Sequence, residues 1–178
     1  MLKYMAIGVS AFVALLLVVA ALRPDTFRVE RTVLIKAAPE QVAAQISDFH
    51  RWGAWSPWEK KDPAMQRTFS GAASGMGARY SWQGDQNVGS GSMEITSATA
   101  EKITIQLDFL APFEAHNIAE FTLRPQAEGT EVSWAMTGPV PFFARIIHLF
   151  FDMDKMVGAD FEAGLSNLKA FVEAPHSP

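Results

Sequence analysis

The sequence predicts an α+β protein with one transmembrane helix, seven strands of an antiparallel sheet, two short helices and one long C-terminal helix. Three observations predict this class. An uncharged run of 19 residues lies near the N-terminus. After Asp62-Pro63, short stretches of alternating apolar and polar residues are separated by turn residues, as in an antiparallel meander. From Phe142 to Val172, apolar residues recur at the spacing of an amphipathic helix.

The segment Tyr4–Leu22 has the length and composition of a transmembrane helix. Its 19 residues carry no charge, and as a helix they span about 28 Å, close to the roughly 30 Å hydrocarbon core of a bilayer. Lys3 and Arg23 bracket it. The sequence therefore predicts a single-pass protein of the cell membrane with an N-terminal anchor. A cleaved signal peptide is the alternative, because Ala20 and its neighbours are small enough for a peptidase site.

The chain is expected to divide into an anchor, residues 1–23, and one globular domain, residues 24–178. Only Pro24-Asp25-Thr26 separates the anchor from the first strand, so the domain is expected to lie almost on the bilayer surface. The basic residues after the anchor belong to that strand. A comparison of flanking charges therefore leaves the side of the membrane open.

Composition excludes several classes of function. The chain has 15 Lys+Arg against 19 Asp+Glu, a net charge of −4, which argues against a nucleic-acid partner. It has no cysteine, which excludes disulfides, iron–sulfur clusters and thiol catalysis. The sequence also lacks the common nucleotide-binding, hydrolase and metalloprotease motifs. No cofactor and no metal are expected.

The predicted elements follow one another without a repeat. A first strand, Phe27–Ala37, precedes a short helix that starts at Pro39 and a tryptophan-rich segment with a second short helix. One continuous helix is predicted from Phe142 to Val172. The six strands of the meander are expected at Met65–Phe69, Ala78–Gln83, Gly89–Thr96, Lys102–Phe109, Glu114–Arg124 and Thr130–Thr137.

This order, with five local motifs, resembles a known superfamily over about residues 27–173. The motifs are Trp52–Trp58, Tyr80–Trp82, Gly89–Met93, Gly129–Trp134 and Asp152–Met156. They are similar to bacterial polyketide cyclase/dehydrase-like members of the START-like SRPBCC superfamily. The resemblance implies a helix-grip fold, in which a curved sheet wraps the C-terminal helix. It also implies a cavity between them for a lipid or other hydrophobic molecule, but no particular reaction, because the superfamily contains carriers, receptors and cyclases.

The strand alternation predicts which side chains face that cavity. In the sixth strand, the apolar alternation of Ala119 and Phe121 carries Asn117 inward with it. An inward Asn117 either bonds a neighbouring backbone group or a buried water, or orients a ligand. The predicted ligand-binding residues are Tyr80, Trp82, Phe109, Asn117, Trp134, Met136, Phe150 and Val157.

Trp52, Trp55 and Trp58 recur at every third position. They are candidates for a lid over the cavity or for a membrane contact at headgroup level. The alternative is that they seal the seam between the short helices and the sheet.

The sequence favours a membrane-tethered binding protein for a lipid or other hydrophobic small molecule, used in carriage or sensing. One alternative is a cyclase or dehydratase acting on an apolar substrate, and another is a protein-interaction module. No catalytic residue is assigned. Only Asn117, Tyr80 and Asp160 are inward polar candidates for a proton carrier, and none of them is a good general base.

Overall fold

The computed structural model describes residues 2–147, 149–150 and 152–174. Five α-helices, one 3-10 helix and seven strands follow one another in these residues. In chain order they are α1 Leu2–Ala21, β1 Thr26–Ile35, α2 Pro39–Ile46, the 3-10 helix Phe49–Ala54, α3 Pro57–Lys61, β2 Gln66–Gly71, β3 Ala78–Gln83, β4 Ser90–Ala98, β5 Lys102–Ala111, β6 Ala115–Gln126, β7 Gly129–Pro139, α4 Phe142–Ile147 and α5 Met153–Glu173.

The seven strands form one antiparallel sheet in the order β1-β7-β6-β5-β4-β3-β2. The meander from β2 to β7 is joined by β1, which pairs with β7 from Thr26–Pro139 to Ile35–Thr130. This is the predicted α+β helix-grip architecture. All seven predicted strands are present, with ends that differ by a few residues.

Helix α5 lies on one face of this sheet, above β1 and β7, and we call that face the helix-side face. Phe161 of α5 stacks on Trp134 of β7 with ring centroids 4.2 Å apart and planes 7° apart. Gly164 permits this approach, because a Cβ there would lie 2.7 Å from Trp134 Cζ3. A Cβ at Gly158 would lie 2.0 Å from Arg31 Nη2. Both glycines in α5 are therefore explained by close packing.

Arg31 of β1 ties the first turns of α5 to the sheet. Its Nε donates to Glu162 Oε1 at 2.6 Å, and Nη1 and Nη2 each donate to the Asp154 carboxylate at 3.0 Å. These two hydrogen bonds to the Asp154 carboxylate hold the start of α5 in one position on the sheet, and they also pair the opposite charges of the two side chains.

The prediction of one continuous C-terminal helix was wrong. Helix α4 ends at Ile147, and α5 begins at Met153 after the Asp152 side chain caps it by accepting from Lys155 N at 3.2 Å. An N-cap residue has extended backbone, so it interrupts the helical period even where the apolar spacing continues. Positions 148 and 151 lie outside the described residues.

The first helix, α1, has the length and apolar composition to cross a membrane, and a signal sequence near an N-terminus has the same features. β1 begins at Thr26, a few residues after α1 ends at Ala21. We call the end of the sheet where β1 begins the α1-proximal end. Because neighbouring strands are antiparallel, the β3–β4, β5–β6 and β7–α4 connections lie at this end.

Candidate ligand-binding site

The register of the sheet places the predicted inward residues on the helix-side face. Trp134 is opposite Phe121, Met136 is opposite Ala119, and Leu107 is opposite Asn117. Residues directly opposite one another in a ladder share a face. The face therefore includes the six strand residues that the sequence predicts, Tyr80, Trp82, Phe109, Asn117, Trp134 and Met136.

The middle of the helix-side face is filled by aromatic side chains. Trp52 and Trp55 are 5% and 0% exposed, and their indole N–H groups donate to the carbonyls of Ile46 and Gln45 at 2.9 and 3.3 Å. Trp58 is half-buried, and its ring centroid lies 5.6 Å from that of Trp134. In these positions the three tryptophans occupy the seam between the short helices and the sheet.

The α1-proximal part of the same face is less completely covered. At the end of the face that lies farthest from α1, Ile103, Leu123 and Val132 are at most 1% exposed. Towards α1, the apolar residues of the face are only partly buried. We call this partly open apolar region the basin, and its residues are Phe27, Trp82, Met93, Leu107, Phe109 and, from α5, Val157.

Asn117 adds one polar atom beside the basin. It is 5% exposed, and its Oδ1 has no hydrogen-bond partner among the described residues. Its side chain lies across Gly138 of β7, where a Cβ would come within 1.9 Å of Oδ1. An unpaired buried acceptor costs about 1–3 kcal/mol. The amide is thus held in an apolar setting at a cost to stability, in the position expected of a ligand-orienting group.

The other buried side-chain atom without a partner in the described part of the chain is Trp134 Nε1. Trp134 lies four residues before Gly138 in β7, about 13 Å along an extended strand. It packs among Phe121, Trp55 and Phe161. This donor is therefore enclosed by the aromatic cluster, whereas Asn117 borders the basin.

A polar cluster that the sequence analysis missed lies at the other side of the face. Tyr80 donates its hydroxyl to Glu59 Oε1 at 2.9 Å, and Arg67 Nε donates to Glu59 Oε2 at 2.6 Å. Arg67 also donates to the Met65 carbonyl. Burial of the phenol, reinforced by the neighbouring Glu59 carboxylate, raises the pKa of Tyr80 well above its usual value. Tyr80 is therefore a neutral hydrogen-bond donor.

Tyr80 also begins an aromatic row along the wall of the basin. Its ring stacks on Trp82 at 6.1 Å, and Trp82 contacts Phe109 edge-on at 5.7 Å. The structure therefore brings three of the predicted ligand-binding residues into one continuous surface. The row ends at the α1-proximal end, where Phe109 is one residue from the exposed Leu110.

Two predicted residues on the C-terminal segment have different surroundings. Val157 of α5 packs against the core and borders the basin. Phe150 is 68% exposed and lies between α4 and α5, so the structure does not bring it together with the other predicted residues. Asp160, a possible proton carrier, is paired with Lys61 Nζ at 2.7 Å.

A surface cleft of about 430 Å³ lies elsewhere, between α2 and α5. It is lined by Glu40, Gln41, Ala44, Gln45 and Val172, and none of the predicted ligand-binding residues lines it. Within the described ranges, no three His, Asp or Glu side chains are grouped closely enough to hold a metal ion. The basin with Asn117 is therefore the candidate site.

These features define a helix-grip α+β domain with a partly open apolar face beneath its C-terminal helix. The sequence profile of the family described as polyketide cyclase/dehydrase and lipid transport matches residues 26–173, and the chain belongs to that family. The START-like SRPBCC resemblance is thereby confirmed. No curated protein sequence matches the chain significantly.

Solved structures show the same fold at low sequence identity. The Aha1 dimer from Colwellia psychrerythraea has a TM-score of 0.59 and 15% identity, with 85% of this chain and 99% of that chain covered. The KanY protein has a TM-score of 0.58 and 22% identity, with 84% and 99% covered. StfQ, a di-domain ARO/CYC of the steffimycin biosynthetic pathway, has a TM-score of 0.59 and 12% identity, with 83% and 51% covered.

Proposed function

We propose that this protein is anchored in a membrane by α1 and binds a hydrophobic small molecule or lipid in the basin, for carriage or sensing. The observation that carries the proposal is the buried Asn117 Oδ1 without a partner among the described residues, beside a partly open apolar surface. The family description, which includes lipid transport, supports the same class of ligand.

The chemistry of the basin indicates the class of ligand. Its walls are aromatic and aliphatic side chains, which favour an apolar body by burial of apolar surface. Asn117 Oδ1 is an acceptor, so the complementary ligand group is a hydrogen-bond donor such as a hydroxyl. A long-chain alcohol, a sterol-like alcohol or a lipid with a free hydroxyl satisfies both requirements.

The length of α1 and its lack of covering protein support the proposed membrane anchoring. Large side chains such as Ile7, Phe12 and Leu15 are 64%, 59% and 59% exposed, and the helix between Lys3 and Ala21 suits the thickness of a bilayer. The tether to β1 is short. Residues 24–178 would therefore lie at the membrane surface, where a hydrophobic ligand is most concentrated.

Native mass spectrometry of the full chain, followed by lipid extraction, tests the binding proposal. We expect the wild-type protein to co-purify with a hydrophobic species that carries a hydroxyl group. We expect Asn117→Leu to lose it, because each missing hydrogen bond of this kind lowers affinity by roughly tenfold. Repeated preparations of folded wild-type protein without such a species would overturn the proposal.

A second candidate function, a cyclase or dehydratase on an apolar substrate, is favoured by the Tyr80–Glu59–Arg67 cluster. The Tyr80 hydroxyl stays protonated next to the aromatic row, so it is a hydrogen-bond donor. It can donate to a substrate carbonyl only after its hydrogen bond to Glu59 breaks. A long-chain β-hydroxy ketone incubated with the full chain would then lose its α-proton and its β-hydroxyl as one molecule of water and leave an enone. Tyr80→Phe should abolish that loss while leaving binding of the β-hydroxy ketone intact. No loss of water with the wild-type protein would exclude this activity for that substrate class.

A further inference from the structure

A second apolar surface is exposed at the α1-proximal end, outside the basin. Helix α4 has no buried residue, although five of its six residues are apolar. Phe143 is 73% exposed, and Phe113 in the β5–β6 connection is 82% exposed. We call this surface the apolar rim, and its residues are Leu110, Phe113, Phe142, Phe143, Ile147 and Phe150.

The two parts of the rim lie at the same end of the molecule. Pro139, which ends β7, is opposite Thr26 at the start of β1, and α4 begins three residues later. Phe109 of β5 is opposite Ala115 of β6, so the short connection that carries Phe113 closes the same end of the sheet. The chain enters the domain from α1 at this end too.

Helix α4 lies directly beside the last turns of α1. Arg145 Nη1 of α4 donates to the carbonyl of Arg23, just after α1, at 3.4 Å, and its Nε donates to the Val140 carbonyl at 3.0 Å. Ala20, in the last turn of α1, is fully buried. The exposed apolar surface of α1 is therefore adjacent to that of α4, with Arg23 and Arg145 at the junction.

From this adjacency we infer that the apolar rim is a second membrane contact, which inserts into the headgroup and upper acyl region of the same bilayer. The inference rests on the proposed anchoring by α1. With α1 across the bilayer, its last turns reach the headgroup level, and α4 beside them lies at that depth. Arg23 and Arg145 then lie among lipid phosphates, as basic residues at a membrane surface commonly do.

This contact places the opening of the basin against the lipid. Phe109, a wall residue of the basin, lies near the end of β5, at the same end of the sheet as the connection that carries Phe113. A hydrophobic molecule therefore has only a short path between the bilayer and the basin. The rim is then the entrance to the basin as well as a membrane contact.

The absence of cysteine from the sequence makes a direct test possible. Two variants of the full chain, Phe113→Cys and Phe143→Cys, each carry a single cysteine. Each cysteine is labelled with an environment-sensitive nitrobenzoxadiazole dye. The labelled protein is reconstituted in phosphatidylcholine/phosphatidylglycerol vesicles that contain lipids with a nitroxide high on the acyl chain. Met76→Cys, 70% exposed at the opposite end of the sheet, is the matched control, and Val9→Cys reports on α1.

We expect the dye at positions 113 and 143 to be blue-shifted and to lose most of its fluorescence to the nitroxide lipids, whereas the dye at position 76 keeps its fluorescence. Quenching at Val9→Cys without quenching at the two rim positions would overturn this inference and leave the anchoring intact. A blue shift without quenching would also overturn it, because a second copy or another protein would then cover the rim. No quenching at Val9→Cys would overturn the anchoring as well.

Discussion

Replacement of Asn117 by leucine should make the domain more stable, although it removes a polar side chain from a folded protein. Leucine has the same number and branching of side-chain heavy atoms as asparagine, so it neither leaves a cavity nor overfills the site. Asn117 Oδ1 has no hydrogen-bond partner among the described residues. The substitution therefore removes an unsatisfied acceptor and breaks no bond to the described protein atoms.

The expected gain is about 1–3 kcal/mol, the desolvation cost of an unpaired buried acceptor. For a domain of this size each kcal/mol corresponds to roughly 2–4 °C in Tm. Urea unfolding followed by tryptophan fluorescence measures it well, because the five tryptophans all lie in the domain and none in α1. The protein must first be stripped of lipid, since a bound ligand would stabilise the wild type alone.

Asn167→Leu is the matched control for this experiment. Asn167 Nδ2 donates to the Trp55 carbonyl at 3.1 Å, so the same substitution there should lower stability by about 0.5–1.5 kcal/mol. The two variants should thus move the unfolding midpoint in opposite directions. If Asn117→Leu destabilises the domain as much as Asn167→Leu does, Asn117 has a structural partner and the reasoning about the site is refuted.

Two further changes test the packing and the electrostatics. Gly164→Ala should lower stability by up to about 2 kcal/mol, because overpacking against Trp134 outweighs the roughly 1 kcal/mol gain in helix propensity. Gly53→Ala is the control in the same urea titration, because a Cβ added at Gly53 would have no other atom within 4 Å. The Asp108 carboxylate, 2.7 Å away, raises the pKa of His116. The pair of His116 with Asp108 therefore stabilises the folded protein fully when the pH is below the pKa of His116 in the unfolded chain, near 6.5. This stabilisation is lost as the pH rises through the higher pKa of His116 in the folded protein. Asp108→Asn should lower that pKa in an NMR titration, and an unchanged value would contradict the ion pair.

The sequence predicted the sheet well because strand geometry is rigidly periodic. Side chains alternate strictly between the two faces, so a few apolar positions such as Phe121 and Leu123 determine the orientation of the whole strand. The inward position of Asn117 followed from that alternation alone. Gly84 and Gly129 near strand ends provided the turn signals that separate the strands.

The helical period was less reliable because it reports apolar spacing and not what the apolar face contacts. Phe143 and Ile147 have the spacing of the α5 face, but they belong to α4, whose side chains are exposed next to α1. The helix is interrupted at Asp152 because this residue caps the N-terminus of α5. A single polar residue within an apolar pattern does not show in the sequence that a new helix begins there. An apolar surface that contacts a membrane and one that contacts a core have the same composition.

The Tyr80–Glu59–Arg67 cluster was not predictable for a different reason. Its members come from α3, β2 and β3, and they are brought together only when the short helices pack on the sheet. The signal in the sequence was weak, because Arg67 shares the inward alternation of Phe69 on β2. A charged residue at an inward position of an edge strand can pair with any acidic side chain that the fold brings near it, so alternation alone does not identify its partner.

Photocrosslinking in lipid nanodiscs tests the central claim, binding in the basin, most directly. The probe is a long-chain alcohol with a diazirine in its chain, added to the full-length protein and mapped by mass spectrometry after irradiation. We predict that labels concentrate on the basin residues of β4, β5 and α5, such as Met93, Leu107 and Val157, and that Asn117→Leu reduces them roughly tenfold. Labels confined to α1 and the apolar rim, or equal labelling of the variant, would contradict the account.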